Sequence, residues 1–221
     1  MERVFWIVLI ASMVWAVAMA FEASAFDKSL ASGPLSRFES PVAMLELADS
    51  QQRFSAILDQ AKREKNLSTM RVNTYMDFVF IILYCLTFIF LALVCSRASG
   101  VAMAVGVTIV TAGVFDCWEN LRLLGQFRLM TSTTLTKVPL PRPVSLAKWA
   151  MFALALCLVG VVLLEARRRV SNPELLVMVV FVFLAAGCTT VGLFRNRLIS
   201  ASVLCLFPAL LIAAWIWRPW R

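Results

Sequence analysis

Long apolar runs separated by short polar connections make up most of this chain. Six runs have about 20 residues, the length that an α-helix needs to cross the hydrocarbon core of a bilayer: residues 4–21, 76–94, 101–124, 146–164, 175–194 and 198–217. The runs are continuous and lack the apolar–polar alternation of membrane β-strands. The pattern therefore predicts an all-α polytopic membrane protein with six transmembrane helices.

The first apolar run allows two interpretations. Residues 1–3 precede it and Ala23-Ser24-Ala25 follow it, which is typical of a signal peptide with a cleavage site. However, the run is about 18 residues long and contains Trp6 and Trp15, whereas a signal peptide has an apolar core of about 7–15 residues. We therefore expect residues 1–21 to form an uncleaved signal-anchor helix.

The only sizeable polar segment, residues 22–75, lies between the first two runs. From about Pro41 its apolar residues recur at helical spacing, which predicts an amphipathic extramembrane helix: Met44, Leu47, Phe54, Ile57, Leu58 and Ala61. We expect this helix to pack as a cap on the membrane domain, and the alternative is a helix that lies among the lipid headgroups. Residues 76–164 then form a three-helix membrane core, and residues 165–221 add a transmembrane hairpin.

Composition narrows the function classes. Apolar residues make up 61% of the 221 residues and charged residues 15%, below the roughly 25% of soluble domains. Histidine is absent, which excludes Ser-His and Cys-His catalysis and His-ligated zinc. The net charge of +8 comes largely from arginines at the ends of the runs, where contact with lipid headgroups is expected and nucleic acid is not.

Orientation in the membrane follows only weakly from charge. Alternate sides of the predicted membrane domain carry 14 and 7 basic residues, but the surplus lies in segment 22–75, and long loops are poor guides to topology. Arg3 precedes the first run, whereas Glu22 and Asp27 follow it. This asymmetry favours a cytoplasmic N-terminus, and six spans would then also place the C-terminus in the cytoplasm.

Ionisable residues inside apolar runs mark a candidate site, because their burial in a membrane is costly. Asp77 opens the second run, and Tyr84 follows two helical turns later on the same face. Asp116, Glu119 and Asn120 stand at positions i, i+3 and i+4 near the end of the third run, so they also share a face.

Chain connectivity predicts that these groups meet at one side of the membrane. The second run enters from the side of segment 22–75, the third run returns to that side, and the fourth run leaves it with Lys148 in its first turn. Glu46 belongs to the amphipathic segment on the same side. The predicted binding residues are therefore Glu46, Asp77, Tyr84, Asp116, Glu119, Asn120 and Lys148.

The polar cluster is compatible with three roles. We expect a binding or transport module for a small cation or a cationic or lipid ligand, with Asp77, Asp116 and Glu119 supplying negative charge and Lys148 the counter-charge. The alternative is an accessory subunit of a larger membrane complex or homo-oligomer, in which the cluster only orders the helices. A lipid-modifying enzyme that uses a metal such as Mg²⁺ comes third. No catalytic residue, metal ligand or cofactor is assigned.

These motifs resemble those of a family of small bacterial integral membrane proteins of no established activity. The matching residues are an E-L-A segment at 46–48, D-x-x-F-I-x-x-Y at 77–84, D-x-x-E-N at 116–120 and the lysine at 148. The resemblance covers residues 44–164 and implies a four-span core in a bacterial inner membrane, to which the last two runs look like an addition. It implies no substrate or cofactor.

Overall fold

The fold is all-helical wherever it is described. A computed structural model describes residues 2–30, 45–46, 48, 50–63, 65–95, 99–129, 142–169 and 173–192. This part of the chain contains no strand and six helices: α1 (Glu2–Leu30), α2 (Gln51–Arg63), α3 (Leu67–Cys95), α4 (Ser99–Leu129), α5 (Arg142–Arg169) and α6 (Pro173–Gly192). The predicted all-α class is confirmed for these residues.

Four of the helices, α3 to α6, are long and apolar enough to cross a membrane. The spanning stretches are Leu67–Cys95, Gly100–Arg128, Arg142–Arg168 and Pro173–Thr190, and they contain most of the second to fifth predicted runs. The apolar part of α1, Arg3–Met19, is shorter than these stretches. The sixth predicted span, residues 198–217, lies outside the described residues.

Several helices are longer than the apolar runs within them. Helix α1 continues to Leu30, beyond its predicted end at Phe21, and α3 begins at Leu67, well before Met76. The polar residues 67–75, which we had assigned to the extramembrane segment, therefore form the first turns of α3. Hydropathy locates the apolar part of a helix, whereas backbone hydrogen bonding continues until a capping residue ends it.

Residues expected in the connections also belong to helices. Pro143 lies in the first turn of α5. Backbone N–H groups in the first turn make no hydrogen bond within the helix, so proline, which has no N–H, is tolerated there. Arg167 and Arg168 form part of the last turns of α5, where positive charge complements the carbonyl end of the helix. Ser99 and Gly100 likewise begin α4.

Local capping defines both ends of α2. The Ser50 hydroxyl accepts a hydrogen bond from the Arg53 amide at 3.3 Å, which is the usual N-cap geometry. At the other end, the Asn66 amide donates to the Ala61 carbonyl at 2.9 Å and the Lys65 amide to the Lys62 carbonyl at 3.2 Å. Lys65 has φ of 58°, so it occupies the left-handed position of a Schellman motif. The predicted start near Pro41 lies outside the described residues.

The chain divides into two compact units. Unit 1 contains Met1–Met13, Ile82–Gly113 and Lys148–Arg221, and unit 2 contains Val14–Ile81 and Val114–Ala147. In unit 1, the hydroxyls of Ser12 on α1 and Thr87 on α3 lie 2.7 Å apart. The Phe183 ring of α6 packs closely over Gly160 of α5 in the same unit.

Unit 2 has its core where α2 meets two of the spanning helices. Four predicted apolar positions of α2 are buried: Phe54, Ile57, Leu58 and Ala61. They pack in one cluster with Met70 of α3 and with Leu123, Leu124 and Phe127 of α4. Two other predicted positions, Met44 and Leu47, lie outside the described residues, while their neighbours Leu45 and Ala48 join the cluster. Helix α2 thus directs its apolar face toward protein.

Candidate functional site

Most of the predicted polar residues lie in unit 2. Glu46, Asp77, Asp116, Glu119 and Asn120 belong to this unit, whereas Tyr84 and Lys148 belong to unit 1.

The polar face of α4 is buried as its spacing predicts. Asp116 is 8% exposed, Glu119 is fully buried and Asn120 is 1% exposed. Trp118 and Leu121, which fall between them in sequence, point outward and are 48% and 62% exposed. One helix therefore presents its two carboxylates and its amide to the protein interior and its apolar residues to the surroundings.

Asn120 connects this face to α3. Its Nδ2 donates a hydrogen bond to Asp77 Oδ2 at 2.7 Å. A donor that bonds to a carboxylate contributes more than one that bonds to a neutral acceptor. The second and third predicted runs are thus joined through residues that the sequence pattern singled out.

Ser145, in the first turn of α5, connects three segments and was missed by the sequence analysis. Its fully buried hydroxyl donates to the backbone carbonyl of Glu46 at 2.9 Å and is also hydrogen-bonded to Glu119 Oε1. A serine hydroxyl has one proton, so the two oxygens share a single donor. Ser145 stands one helical turn before Lys148, and this i, i+3 spacing was the available signal.

Two further contacts in unit 2 involve main-chain carbonyls. Trp15 Nε1 on α1 donates to the Met76 carbonyl at 2.9 Å, directly beside Asp77 in the sequence. Arg71 Nη2 on α3 donates to the Phe127 carbonyl at 2.6 Å. Phe127 lies in the last turn of α4, where carbonyls have no partner within the helix, so Arg71 caps α4. No sequence pattern pointed to either contact.

Three carboxyl groups of unit 2 belong to neighbouring positions on α3 and α4. Asp77 is bonded to Asn120, which shares a helix face with Asp116 and Glu119. Among the residues with described side chains, no three Cys, Asp or Glu side chains are arranged to hold a metal ion together. The described side chains of the cluster supply carboxyl groups and hydrogen-bond donors.

Tyr84 and Lys148 are both buried within unit 1. Tyr84 is 8% exposed and Lys148 is 6% exposed. The Tyr84 and Trp149 rings each meet the Phe152 ring edge-to-face, at centroid distances of 6.0 and 5.9 Å. Lys148 Nζ lies 5.1 Å from the Trp149 ring centroid, within range of a cation–π interaction. These two predicted site residues thus lie in one aromatic cluster.

No protein-family model matches the chain, and comparisons with curated proteins and with solved structures gave no match. The resemblance to a bacterial membrane-protein family therefore stays an expectation based on the motifs alone.

Proposed function

We propose that this chain is a membrane-embedded binding or transport module for a small cation or a ligand with a cationic group. The carboxylates of Asp77, Asp116 and Glu119 would supply its negative charge, and Asn120 and Ser145 would hold them in place. The proposal rests on one observation: Asp116 and Glu119 are at most 8% exposed on the helix whose Asn120 binds Asp77.

Burying the carboxylates of Asp116 and Glu119 costs free energy. Moving a carboxylate from water into a low-dielectric interior is unfavourable unless hydrogen bonds or opposite charge compensate it. Helix packing alone can be achieved with apolar or small residues, as elsewhere on α4, so buried carboxylates in a spanning helix favour a role in binding.

The proposal includes the location of the protein. We infer six spans in a bacterial inner membrane, with both termini in the cytoplasm and residues 1–21 retained as a signal-anchor. Support comes from the length of the apolar runs, from Arg3 ahead of the first run and from Glu22 and Asp27 after it. Tyr84 and Lys148 stay predicted members of the binding site.

Thermal stability in detergent tests the proposal. Wild type, Asp116→Asn and Glu119→Gln would each be heated with Na⁺, K⁺, Mg²⁺, Ca²⁺ or choline. A ligand that binds the folded state raises the melting temperature in proportion to the logarithm of its concentration above Kd. We expect one probe to stabilise wild type, and both variants to stay folded but lose that shift.

Asp59→Asn is the matched control. Asp59 is an exposed carboxylate on α2 in the same unit, so this variant loses the same charge away from the buried face. It should keep the full shift. The proposal is wrong if no probe stabilises wild type, or if the control loses the shift as completely as Asp116→Asn does.

A second candidate is an accessory subunit in which the cluster is structural. The hydrogen bonds of Ser145 to Glu46 and Glu119 favour it, because they join chain segments to one another. In this case Glu119→Gln should lower the melting temperature with every probe, and wild type should co-purify with another membrane protein or with itself in mild detergent.

A further inference from the structure

The outer side of α2 is polar because the protein covers the apolar side. Phe54, Ile57, Leu58 and Ala61 are each at most 1% exposed and pack in the core of unit 2. An amphipathic helix that lies in a bilayer inserts its apolar face among the acyl chains. Helix α2 has no apolar face left for insertion, so only its polar side can meet lipid.

Positive charge predominates on that side and in the turn that follows. The exposed charged residues with described side chains between positions 50 and 66 are Arg53, Lys62, Arg63 and Lys65 against Asp59. The sequence adds Glu64 between Arg63 and Lys65, so the basic surplus of this segment is two. Arg63 and Lys65 flank the end of the helix, next to the start of α3.

Helix α2 lies at the ends of spanning helices. The spanning stretches begin at Leu67 in α3 and end at Arg128 in α4. The core of unit 2 joins α2 to Met70 and Phe127, which stand three residues and one residue from those ends. The apolar run of α3 starts at Met76, about 14 Å along the helix from Leu67. The basic side of α2 therefore lies on the headgroup side of the hydrocarbon core.

A tryptophan–arginine pair lies further along α4, ten and six residues before Arg128. The Arg122 guanidinium carbon lies 5.2 Å from the centroid of the Trp118 ring, and Trp118 is 48% exposed. Exposed tryptophan is enriched at membrane–water interfaces, where its apolar ring and polar N–H meet both environments. The stacked Arg122 adds a positive charge beside this ring.

We propose that this basic rim, consisting of Arg63, Lys65, Arg122 and Trp118, binds the headgroups of anionic phospholipids. The positive side chains would contact lipid phosphates and the Trp118 ring would lie along the glycerol and upper acyl region. An acidic protein could also match the charge, but the exposed indole and the nearby ends of α3 and α4 favour lipid.

Lipid titration of the full chain in a neutral detergent tests this proposal. Phosphatidylglycerol or phosphatidylcholine would be added to wild type, and the apparent Kd read by native mass spectrometry. We expect phosphatidylglycerol to bind more tightly, and Arg63→Gln/Lys65→Gln to weaken it about 25-fold, since each basic side chain near an anionic surface contributes about fivefold. Arg122→Gln should weaken it about fivefold by the same reasoning.

Arg167→Gln/Arg168→Gln is the matched control. It removes two exposed positive charges near the end of another spanning helix, α5, in unit 1. Arg167 and Arg168 also lie where contact with headgroups is expected, so this variant should lose some affinity for phosphatidylglycerol, but less than Arg63→Gln/Lys65→Gln loses.

Three outcomes would overturn the proposal. They are equal affinity of wild type for the two lipids, an equal loss in the control variant, and competition by inorganic phosphate at concentrations near the lipid Kd. The last outcome would indicate a site for free phosphate. None of these variants alters Asp116 or Glu119, so failure here leaves the proposed cation site untouched.

Discussion

Asn120 on α4 and Asp77 on α3 form a direct side-chain hydrogen bond, with 2.7 Å between Nδ2 and Oδ2. Asn120 is 1% exposed, so the donor is shielded from water. The pair joins two helices that are each long enough to span a membrane. The pair is therefore a partly buried polar contact between two candidate spanning helices.

We expect Asn120→Ala to lower the free energy of unfolding by about 1.5–3 kcal/mol, because a hydrogen bond to a charged group is lost. Asp77→Asn should cost less, since an amide oxygen can still accept from Asn120 Nδ2. Denaturant titration in detergent would measure both. Equal stability of Asn120→Ala and wild type would contradict the role given to this bond.

Ser145→Ala should destabilise the protein by about 1–3 kcal/mol, because it removes the donor that Glu46 and Glu119 share in a buried setting. Ser68→Ala is the control, since Ser68 is exposed on α3 and its loss should stay within about 0.5 kcal/mol. The same denaturant titration compares them. The prediction fails if the two variants have the same stability.

The contact between Gly160 and Phe183 makes the interface of α5 and α6 sensitive to one methyl group. A Cβ at position 160 would lie 2.6 Å from Phe183 Cζ and 2.9 Å from Cε1. We expect Gly160→Ala to be about 0.5–1.5 kcal/mol less stable than an alanine at an open helical position, because the Phe183 ring, which is 39% exposed, must leave its preferred rotamer.

Two variants control the prediction for Gly160. Gly187→Ala on α6 should raise stability by up to about 1 kcal/mol, because a Cβ there meets no atom within 4 Å and alanine favours the helix. Combining Gly160→Ala with Phe183→Leu should recover most of the loss, since the smaller side chain leaves room for the methyl group. Melting temperatures of the three proteins would show this order, and additive losses in the double variant would contradict it.

Lys65 carries backbone strain that glycine would relieve. Its φ of 58° is the left-handed conformation, which costs an L-residue roughly 1–2 kcal/mol. Lys65→Gly should therefore be more stable than Lys65→Ala by about 1 kcal/mol, although both lose the same charge. Thermal unfolding distinguishes them, and a more stable alanine variant would exclude a left-handed position 65 in the folded protein.

Local sequence patterns predicted the buried faces of α2 and α4. The spacing of Phe54, Ile57, Leu58 and Ala61 indicated which side of α2 is buried, because a helix repeats every 3.6 residues. The i, i+3, i+4 spacing of Asp116, Glu119 and Asn120 did the same for α4. Each of these predictions concerns one helix, and the geometry of a helix depends on residues that are close together in sequence.

Helix ends were predicted less well, because they depend on individual hydrogen bonds. The Asn66 carbonyl accepts the Met70 amide at 3.0 Å, so α3 begins beside a turn made by Lys65 and Asn66 and not at the first apolar residue. The hydropathy of residues 67–75 contained no signal for this start. A helix cap consists of one or two hydrogen-bonding groups, and hydropathy averaged over a run does not detect them.

The specific partners across the fold came only from the tertiary structure. The sequence placed Asp77 and Asn120 at one side of the membrane by connectivity, but packing decided that the amide of one meets the carboxylate of the other. Ser145 looked ordinary in sequence and became a shared donor because α5 begins beside Glu46 and Glu119. Periodicity defines which face of a helix is buried, whereas the choice of partner depends on how neighbouring helices are placed and rotated, and that information is spread over the whole chain.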